Sequence, residues 1–162
     1  LYMMGIAQLA ATRATCCRRS VGCVLVNKHN HIIATGYNGV AAGRPHCTDA
    51  PCPGANAPSG QSLDLCQALH AEQNALLQCK DMYDIEAAYD TASPCVTCLK
   101  LLLNTSCKAI YFIDEYPHAA AKQMWVDAGR QWRQISLEGR EDLRNVYQLL
   151  SEALAPRSGA LN

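Results

Sequence analysis

The sequence predicts an α/β fold in which helices cover both faces of a mixed five-stranded sheet, giving three α-β-α layers. Two observations lead to this prediction. Apolar, β-branched runs at residues 21–26 and 32–35 flank a polar turn at 27–30 and predict an initial hairpin. From residue 70 onward, helical and strand patterns alternate. Such alternation is typical of a largely buried sheet with helices packed on each side.

Each further element follows from a local pattern. Met3, Ile6, Ala7 and Ala10 recur at helical spacing and predict a first helix over residues 2–14. The remaining predicted elements are helices at 70–79, 95–104, 118–128 and 141–154, and strands at 85–91, 109–113 and, at an edge of the sheet, 132–135.

A chain of 162 residues predicts one domain, spanning 1–162, with a sizeable core. Gly, Pro, Ala and Cys are frequent at 41–62, which predicts an irregular segment rather than helix or strand. A loop of this length is usually functional or held in place by other groups. We interpret about 41–66 as a Cys-rich insertion and expect a flexible tail from about 156.

Charge and cysteine content restrict the classes of partner. Fourteen basic and fourteen acidic residues give a net charge of zero, so we expect no nucleic-acid or membrane partner and favour a small substrate. The first twelve residues are mostly apolar, but Gln8 interrupts them and Arg13 follows, so neither a signal peptide nor a membrane span is expected. Ten cysteines, some at metal-ligand spacing, predict free and zinc-bound thiols in the cytoplasm.

Two short motifs predict a metal centre. His70 and Glu72 form an H-x-E motif, and Pro94, Cys95 and Cys98 form a later P-C-x-x-C motif. One His and two Cys give zinc three protein ligands, and the fourth position of a tetrahedral site then stays open for water. Bound zinc lowers the pKa of that water to about 7, so a nucleophile is available at neutral pH. Glu72 is the candidate for moving its protons.

Placement on helices supports the same centre. Pro94 fits the first turn of a helix, so Cys95 and Cys98 would lie on one face near its N-terminus, where the partial positive charge favours thiolates. His70 would begin another helix. Residues two apart do not share a helix face, so His70 and Glu72 can serve one metal only if it lies off the helix end. We expect both motifs to converge at one edge of the sheet.

Over roughly residues 13–130 the chain resembles the deoxycytidylate deaminase family of the cytidine deaminase superfamily. The resemblance rests on residues 13–22 (RATCCRRSVG), 36–39 (GYNG), 46–47 (HC), Cys66, 70–75 (HAEQNA) and 91–98 (TASPCVTC). It implies a cytidine deaminase-like sandwich. It also implies zinc-dependent hydrolysis of dCMP to dUMP and ammonia, which would supply dUMP for thymidylate synthesis.

The resemblance further implies roles for individual residues. His70, Cys95 and Cys98 would bind the catalytic zinc, while Glu72 protonates ring nitrogen 3 and passes a proton to the leaving amine. The implied substrate contacts are Asn38 at the deoxyribose, Tyr116 or Arg19 at the phosphate, and Ala71, Thr91 and Ser93. Alternatively, Asn38 serves only a tight turn, and Arg18 and Arg19 are a solvated pair.

A second, structural zinc is also implied. Relatives place its ligands at the positions of Cys16, Cys47 and Cys66, and Cys52 or His46 would complete a closed set of four. Such a site would fasten the insertion to the core. The alternative is that these thiols are small buried apolar groups, as we expect for Cys17, Cys23, Cys79 and Cys107.

Two other classes of function stay open. One is a deaminase with the same centre that acts on cytidine, dCTP or nucleic acid. The other is a non-catalytic, zinc-stabilised regulatory module, although a purely structural zinc has no use for Glu72. The family resemblance also implies a homo-oligomer, commonly a hexamer, with dCTP and dTTP as opposing allosteric effectors.

Overall fold

The computed structural model describes residues 1–58, 61–116, 119–138 and 141–154. Regular elements alternate along most of the chain after an initial helix and hairpin. In order they are α1 (Tyr2–Ala11), β1 (Gly22–Val26), β2 (Ile32–Tyr37), β3 (Gly39–Val40), β4 (Ala68–Leu69), α2 (Ala71–Gln78), β5 (Ala87–Ala92), α3 (Val96–Leu103), β6 (Ala109–Asp114), α4 (Ala119–Asp127), β7 (Gln131–Gln134) and α5 (Glu141–Leu154).

The main sheet has five strands in the order β2-β1-β5-β6-β7. Strand β1 pairs antiparallel with β2 and with β5, whereas β5, β6 and β7 run parallel to one another. The predicted mixed sheet is therefore confirmed, with the hairpin at one side and β7 at the other edge. Strands β3 and β4 form a separate two-stranded sheet. Because β5 is central, its carboxyl end lies between elements on both sides.

Two apolar clusters separate the three layers. Alternate residues of β1 face opposite sides, so Cys23 and Leu25 join one cluster while Val24 and Val26 join the other. The first cluster packs the sheet against α2, α3 and α4, and Trp125 of α4 is fully buried in it. The second packs the sheet against α1 through residues such as Met4. Burial on both faces explains why every residue of β1 is buried.

Several boundaries differ from the prediction. Helix α1 ends at Ala11 rather than at residue 14. Thr12 is the C-cap residue, and its hydroxyl donates a hydrogen bond to the Leu9 carbonyl at 2.7 Å. Strand β2 continues to Tyr37 because the hairpin pairs Gly22 with that residue. His118, the predicted start of the fourth helix, and the predicted tail from 156 lie outside the described residues.

The Cys-rich insertion is irregular, as predicted. Its described residues at 41–58 and 61–66 form turns and one short 3-10 helix, Leu63–Leu65, before β4 begins. Within the described part of the chain, no helix has the length and apolarity needed to cross a membrane.

Candidate metal centre

The first motif lies where α2 begins. His70 is the N-cap residue, with extended backbone angles of φ −79° and ψ 161°. It therefore precedes the first helical residue, and its side chain does not belong to a helix face. The backbone N–H of His70 donates a hydrogen bond to Gln73 Oε1 at 2.8 Å, and this contact stabilises the first turn of α2. Glu72 lies in that turn. A metal bound by His70 would therefore lie off the end of the helix, as the two-residue spacing between His70 and Glu72 requires.

The backbones of α2 and β2 approach each other closely, and this contact positions the N-terminal part of α2. A side chain at Gly36 of β2 would collide with the Ala71 carbonyl and would lie 2.5 Å from the Ala75 nitrogen, both in α2. Glycine thus allows α2 to lie directly on the strand. Asn74 Nδ2 also donates to the Tyr37 carbonyl at 2.7 Å. These contacts hold the N-terminal part of α2 against the carboxyl end of β2.

The second motif begins α3. Cys95 is the N-cap residue and Cys98 lies in the first turn, so both sulfurs are near a helix N-terminus as expected. Pro94 precedes the N-cap instead of occupying the first turn, because the helix begins only at Val96. The centre lies past the end of the central strand β5 rather than along an edge strand, since α3 follows β5 directly.

The three predicted ligand side chains converge. His70 Nδ1 lies 3.4 Å from Cys95 Sγ and 3.3 Å from Cys98 Sγ. A tetrahedral zinc with ordinary Zn–N and Zn–S bond lengths would place its nitrogen and sulfur ligands about 3.5 Å apart. The donor set therefore fits zinc in both chemistry and spacing. A search of the described residues for three or more His, Cys, Asp or Glu side chains at metal-ligand spacing finds His70, Cys95 and Cys98, whose ligand atoms all lie within 4.8 Å of one another.

Electrostatics favour a thiolate here. The Cys98 thiol donates to Cys95, and this hydrogen bond, with His70 alongside, lowers the pKa of Cys95 to about 3. The Cys95 sulfur in turn raises the pKa of Cys98, so the pair shares one proton. Hydrogen bonding to Cys95 also raises the pKa of His70. Thiolates are the form in which cysteine binds metals.

Glu72 has the properties of a proton-transfer group. Its side chain is only 3% exposed, and burial raises the pKa of its carboxyl above the usual range. A carboxyl whose pKa moves toward neutral pH is well suited both to accept and to donate a proton. Neighbouring His70 opposes this shift because a positive imidazole favours the carboxylate.

An open cavity leads to these groups. Most of the predicted site residues lie on its wall, together with residues that were not predicted. The lining residues are Cys16, Arg18, Arg19, Val21, Asn38, Cys66, Ala68, His70, Ala71, Glu72, Ala92, Ser93, Cys95 and Tyr116.

Asn38 lines the cavity and also holds its wall together. Its Oδ1 accepts a hydrogen bond from the Val21 N–H at 2.8 Å, and its Nδ2 donates to the Arg19 carbonyl at 2.6 Å. Thr91, in contrast, is not among the lining residues. It is buried, and its hydroxyl accepts a hydrogen bond from the Gly22 N–H at 3.1 Å. The Thr91 hydroxyl thus ties β5 to β1, and its contact with substrate stays a prediction.

The predicted phosphate residues lie together at the cavity wall. Arg19 Nη2 is 3.5 Å from Asp114 Oδ2, and the Arg19 guanidinium carbon lies 5.7 Å from the centre of the Tyr116 ring. The Tyr116 N–H donates to Ser93 Oγ at 2.7 Å. Ser93 thus anchors the segment that follows β6.

Arg18 also lines the cavity, although no sequence pattern distinguishes it from a solvated charge. Its Nη2 donates to the carbonyls of Pro58 and Gln61, the latter at 3.1 Å. Backbone carbonyls about forty residues away leave no local sequence signal, so this contact was accessible only from the structure.

The cysteines proposed for a second metal lie near the insertion, but no three of their sulfurs reach metal-ligand spacing among the described residues. Cys16, Cys47 and Cys52 are buried and Cys66 is partly exposed. Cys47 Sγ accepts a hydrogen bond from the Cys52 N–H at 3.4 Å. Cys17, expected in the core, is instead exposed, and its sulfur lies 3.5 Å from Cys47 Sγ.

Comparison with known families gives a match over most of the chain. Residues 1–114 match the family described as the cytidine and deoxycytidylate deaminase zinc-binding region. All residues of the three-ligand group and Glu72 lie inside the matched range.

Individual relatives agree with this match. A deoxycytidylate deaminase of Schizosaccharomyces pombe is 40% identical over 119 residues, which are 71% of this chain and 37% of that protein. ComE operon protein 2 of Bacillus subtilis is 35% identical over 154 residues, which are 91% of this chain and 77% of that protein. The chain thus spans little more than a third of the fission yeast relative's length.

Among solved structures, a dCMP deaminase from the cyanophage S-TIM5, in complex with dCMP and dUMP, superposes with a TM-score of 0.67. The two chains are 26% identical, and the match covers 82% of this chain and 93% of the phage protein.

Proposed function

Because the chain belongs to the cytidine and deoxycytidylate deaminase zinc-binding family, we propose that it hydrolyses dCMP to dUMP and ammonia. The observation that carries the proposal is an incomplete ligand set, His70, Cys95 and Cys98, beside the buried carboxyl of Glu72. Three protein ligands are typical of catalytic zinc, whereas structural zinc has four. The substrate is supported by relatives that act on deoxycytidylate and by the phage enzyme bound to dCMP.

His70, Cys95 and Cys98 would hold Zn²⁺. Zinc in this position would lower the pKa of a water molecule to about 7 and so provide a nucleophile at neutral pH. Glu72 accepts a proton from the water as the water oxygen bonds to carbon 4 of the cytosine ring, and it donates this proton to ring nitrogen 3. The second proton, from the new hydroxyl on carbon 4, then passes to the exocyclic amino group. The bond between carbon 4 and the amino nitrogen breaks, and ammonia leaves. The reaction is a hydrolysis and needs no oxidant or reductant.

The substrate would lie along the cavity wall. Asn38 has one amide hydrogen and one lone pair beyond its two internal hydrogen bonds, and these would contact the deoxyribose. Ala71 and Ser93 would line the nucleotide path. The phosphate would lie toward Arg19 and Tyr116, which contact each other at the cavity wall.

We propose that a second zinc binds at the Cys-rich insertion. Its ligands would be Cys16, Cys47 and Cys66, with Cys52, or His46 in its place, as the fourth. Two observations that relate these side chains to one another support the proposal. The Cys52 backbone N–H donates a hydrogen bond to Cys47 Sγ, and the Cys16 thiol interacts electrostatically with Cys66 and Cys47. Elemental analysis should return two zincs per chain. A result of one zinc, unchanged in Cys47→Ser, would exclude this site.

The same family membership supports proposals about assembly and regulation. We propose a homo-oligomer, a hexamer, that responds in opposite directions to dCTP and dTTP. Light scattering with and without each nucleotide measures this. We also propose one domain over 1–162, since one five-stranded sheet joins the described strands from β1 to β7. We propose a cytoplasmic location, since a reducing compartment keeps zinc-binding thiols reduced.

A substrate panel tests the activity. Deamination of dCMP, cytidine, dCTP and an RNA hairpin should be followed by ultraviolet absorbance at equal zinc content. We expect dCMP to give the highest kcat/KM. A higher value for cytidine, dCTP or the RNA hairpin would replace dCMP as the proposed substrate, and loss of turnover on all four would favour the regulatory-module alternative.

A further inference from the structure

We propose that Cys17 and Cys47 form an oxidation site, at which a hydroperoxide converts the two thiols into a reversible disulfide. Their sulfur atoms lie 3.5 Å apart and are in van der Waals contact, although thirty residues separate them in the sequence. Neither side chain takes part in the proposed deamination. Cys47 enters the proposed function only as a ligand of the second zinc, so the oxidation site gives this sulfur a second use.

Backbone contacts keep the two sulfurs close. The Thr48 N–H donates a hydrogen bond to the Thr15 carbonyl at 3.3 Å, and this contact joins the chain next to Cys47 to the chain near Cys17. The Cys52 N–H also donates to Cys47 Sγ at 3.4 Å, which restrains the position of that sulfur. A disulfide bond is about 2.05 Å long, so side-chain rotation has to close only the remaining gap.

The two thiols differ in their access to solvent. Cys17 is exposed, whereas Cys47 is only 1% exposed. A small oxidant in solution therefore reaches Cys17 first, and Cys47 lies in contact with the sulfur that has been oxidised. An accessible cysteine next to a resolving cysteine is an arrangement that redox-sensitive proteins use. The structure thus supplies both partners of the reaction.

The reaction balances with hydrogen peroxide as the oxidant. The Cys17 sulfur bonds to one peroxide oxygen as the oxygen–oxygen bond breaks, which gives a sulfenic acid and releases a molecule of water. The Cys47 sulfur then bonds to the Cys17 sulfur, the sulfur–oxygen bond breaks, and a second water leaves with the proton of the Cys47 thiol. Both sulfurs are oxidised, and both peroxide oxygens are reduced. A thiol such as glutathione reverses the reaction by attacking the disulfide.

A disulfide here would connect the cavity wall to the Cys-rich insertion. Cys16 and Arg18, the neighbours of Cys17, line the cavity, and Cys47 belongs to the insertion. Zinc binds cysteine as a thiolate, and a sulfur in a disulfide is no longer a thiolate. The disulfide and the second zinc therefore exclude each other, and this consequence rests on the proposed function. Metal would hold the insertion to the cavity wall in the reduced chain, and a covalent bond would hold it in the oxidised chain.

The test maps disulfides in the zinc-loaded chain after treatment with hydrogen peroxide. Proteolysis, followed by fragmentation of the linked peptides in a mass spectrometer, should show Cys17 joined to Cys47, and dithiothreitol should remove the link. Formation of the link should release one zinc per chain. Cys17→Ser should lose the link and, before treatment, keep the zinc content of the unaltered chain. Cys79→Ser is the matched control and should retain the link, because Cys79 is a partly exposed thiol that donates to the Asp81 carbonyl.

Three results would each overturn the assignment: no link between Cys17 and Cys47, a link to Cys47 that persists through Cys16 in Cys17→Ser, or loss of zinc from untreated Cys17→Ser. The last result would make Cys17 a metal ligand instead. If Cys17→Ser does not fold, Cys17→Ala gives the same comparison. Failure of the second-zinc proposal has a different signature, in which the link forms in the unaltered chain without release of zinc. Disulfide mapping does not depend on turnover, so a chain that does not deaminate dCMP still decides the inference.

Discussion

His70 Nδ1 lies 3.3 Å from Cys98 Sγ, although one residue caps α2 and the other lies in the first turn of α3. The two helix starts are brought together because α2 packs on β2 and α3 follows the central strand β5. Each local motif therefore supplies part of one centre, and each helix N-terminus favours anionic ligands there.

Removing one sulfur should remove the metal. Cys98→Ala leaves His70 and Cys95, and two ligands are too few to retain zinc at the affinity of three. We expect elemental analysis to show the loss of one zinc per chain, together with loss of dCMP deamination. Cys79→Ala is the control, because Cys79 lies away from the centre and hydrogen bonds to the Asp81 carbonyl. Normal zinc content in Cys98→Ala would contradict the ligand assignment.

Replacing the proton-transfer group should separate chemistry from metal binding. Glu72→Gln keeps the shape of the side chain but cannot move protons, so kcat for dCMP should fall by about 10²- to 10⁴-fold. Zinc content and melting temperature should stay close to those of the unaltered chain. In Glu86→Gln, which alters only a surface ion pair with Lys108, kcat should not change. Turnover near the normal rate in Glu72→Gln would show that another group carries the proton.

A buried carboxyl should make stability depend on pH. Asp90 of β5 is fully buried, and burial raises its pKa well above the usual carboxyl range. The folded chain therefore keeps the Asp90 proton at pH values where the unfolded chain has lost it. Stability due to this group falls as pH rises above about 4, by up to about 1.4 kcal/mol per pH unit, until the folded pKa is passed.

Asp90→Asn removes that dependence, so the variant should be more stable than the unaltered chain at pH 8, with a smaller difference at pH 5. Urea unfolding at both pH values measures this. Glu72 has the same direction of shift, and its charge also raises the pKa of Asp90, so the comparison reports the interaction of the two carboxyls together with the burial of Asp90. A stability difference that does not grow with pH would show that Asp90 is ionised in the folded chain.

The close approach at Gly36 should matter for both stability and activity. Gly36→Ala would force a methyl group into the backbone of α2, so the helix that carries His70 and Glu72 must move. Overpacking of this kind costs about 1–3 kcal/mol. We expect a lower free energy of unfolding and a lower kcat for dCMP.

Gly5→Ala is the matched substitution. Gly5 lies in α1 with nothing within 4 Å of the added carbon, so alanine should stabilise the helix by about 0.5–1 kcal/mol. Chemical denaturation of both variants, together with a dCMP assay, measures the contrast. Equal stability of the two variants would mean that α2 yields to the added methyl group without strain.

Much of the fold could be predicted because its signals are local. The final helix occurs at Glu141–Leu154, where its pattern placed it, and the edge strand occurs at Gln131–Gln134, one residue before the predicted start. One boundary that moved is set by a neighbouring strand. Strand β2 extends to Tyr37 because Gly22 is available opposite it in the hairpin.

The candidate site divides in the same way. Metal chemistry needs particular residue types, so His70, Glu72, Cys95 and Cys98 could be chosen from the sequence, and the structure brings the three ligands together. A threonine hydroxyl carries no such label. Thr91 was chosen through the family resemblance, but its hydroxyl accepts a hydrogen bond from the backbone of β1.

The sequence by itself determined the order of helices and strands and the residues able to form a zinc centre, because periodicity and ligand chemistry are properties of short segments. Only the tertiary structure decided how polar side chains are used. It enclosed Asp90, tied Asn38 to Val21 and Arg19, and distinguished Arg18 from Arg19 through acceptors distant in the chain. Hydrogen bonds and burial depend on which segments meet in space, and no local pattern specifies those meetings.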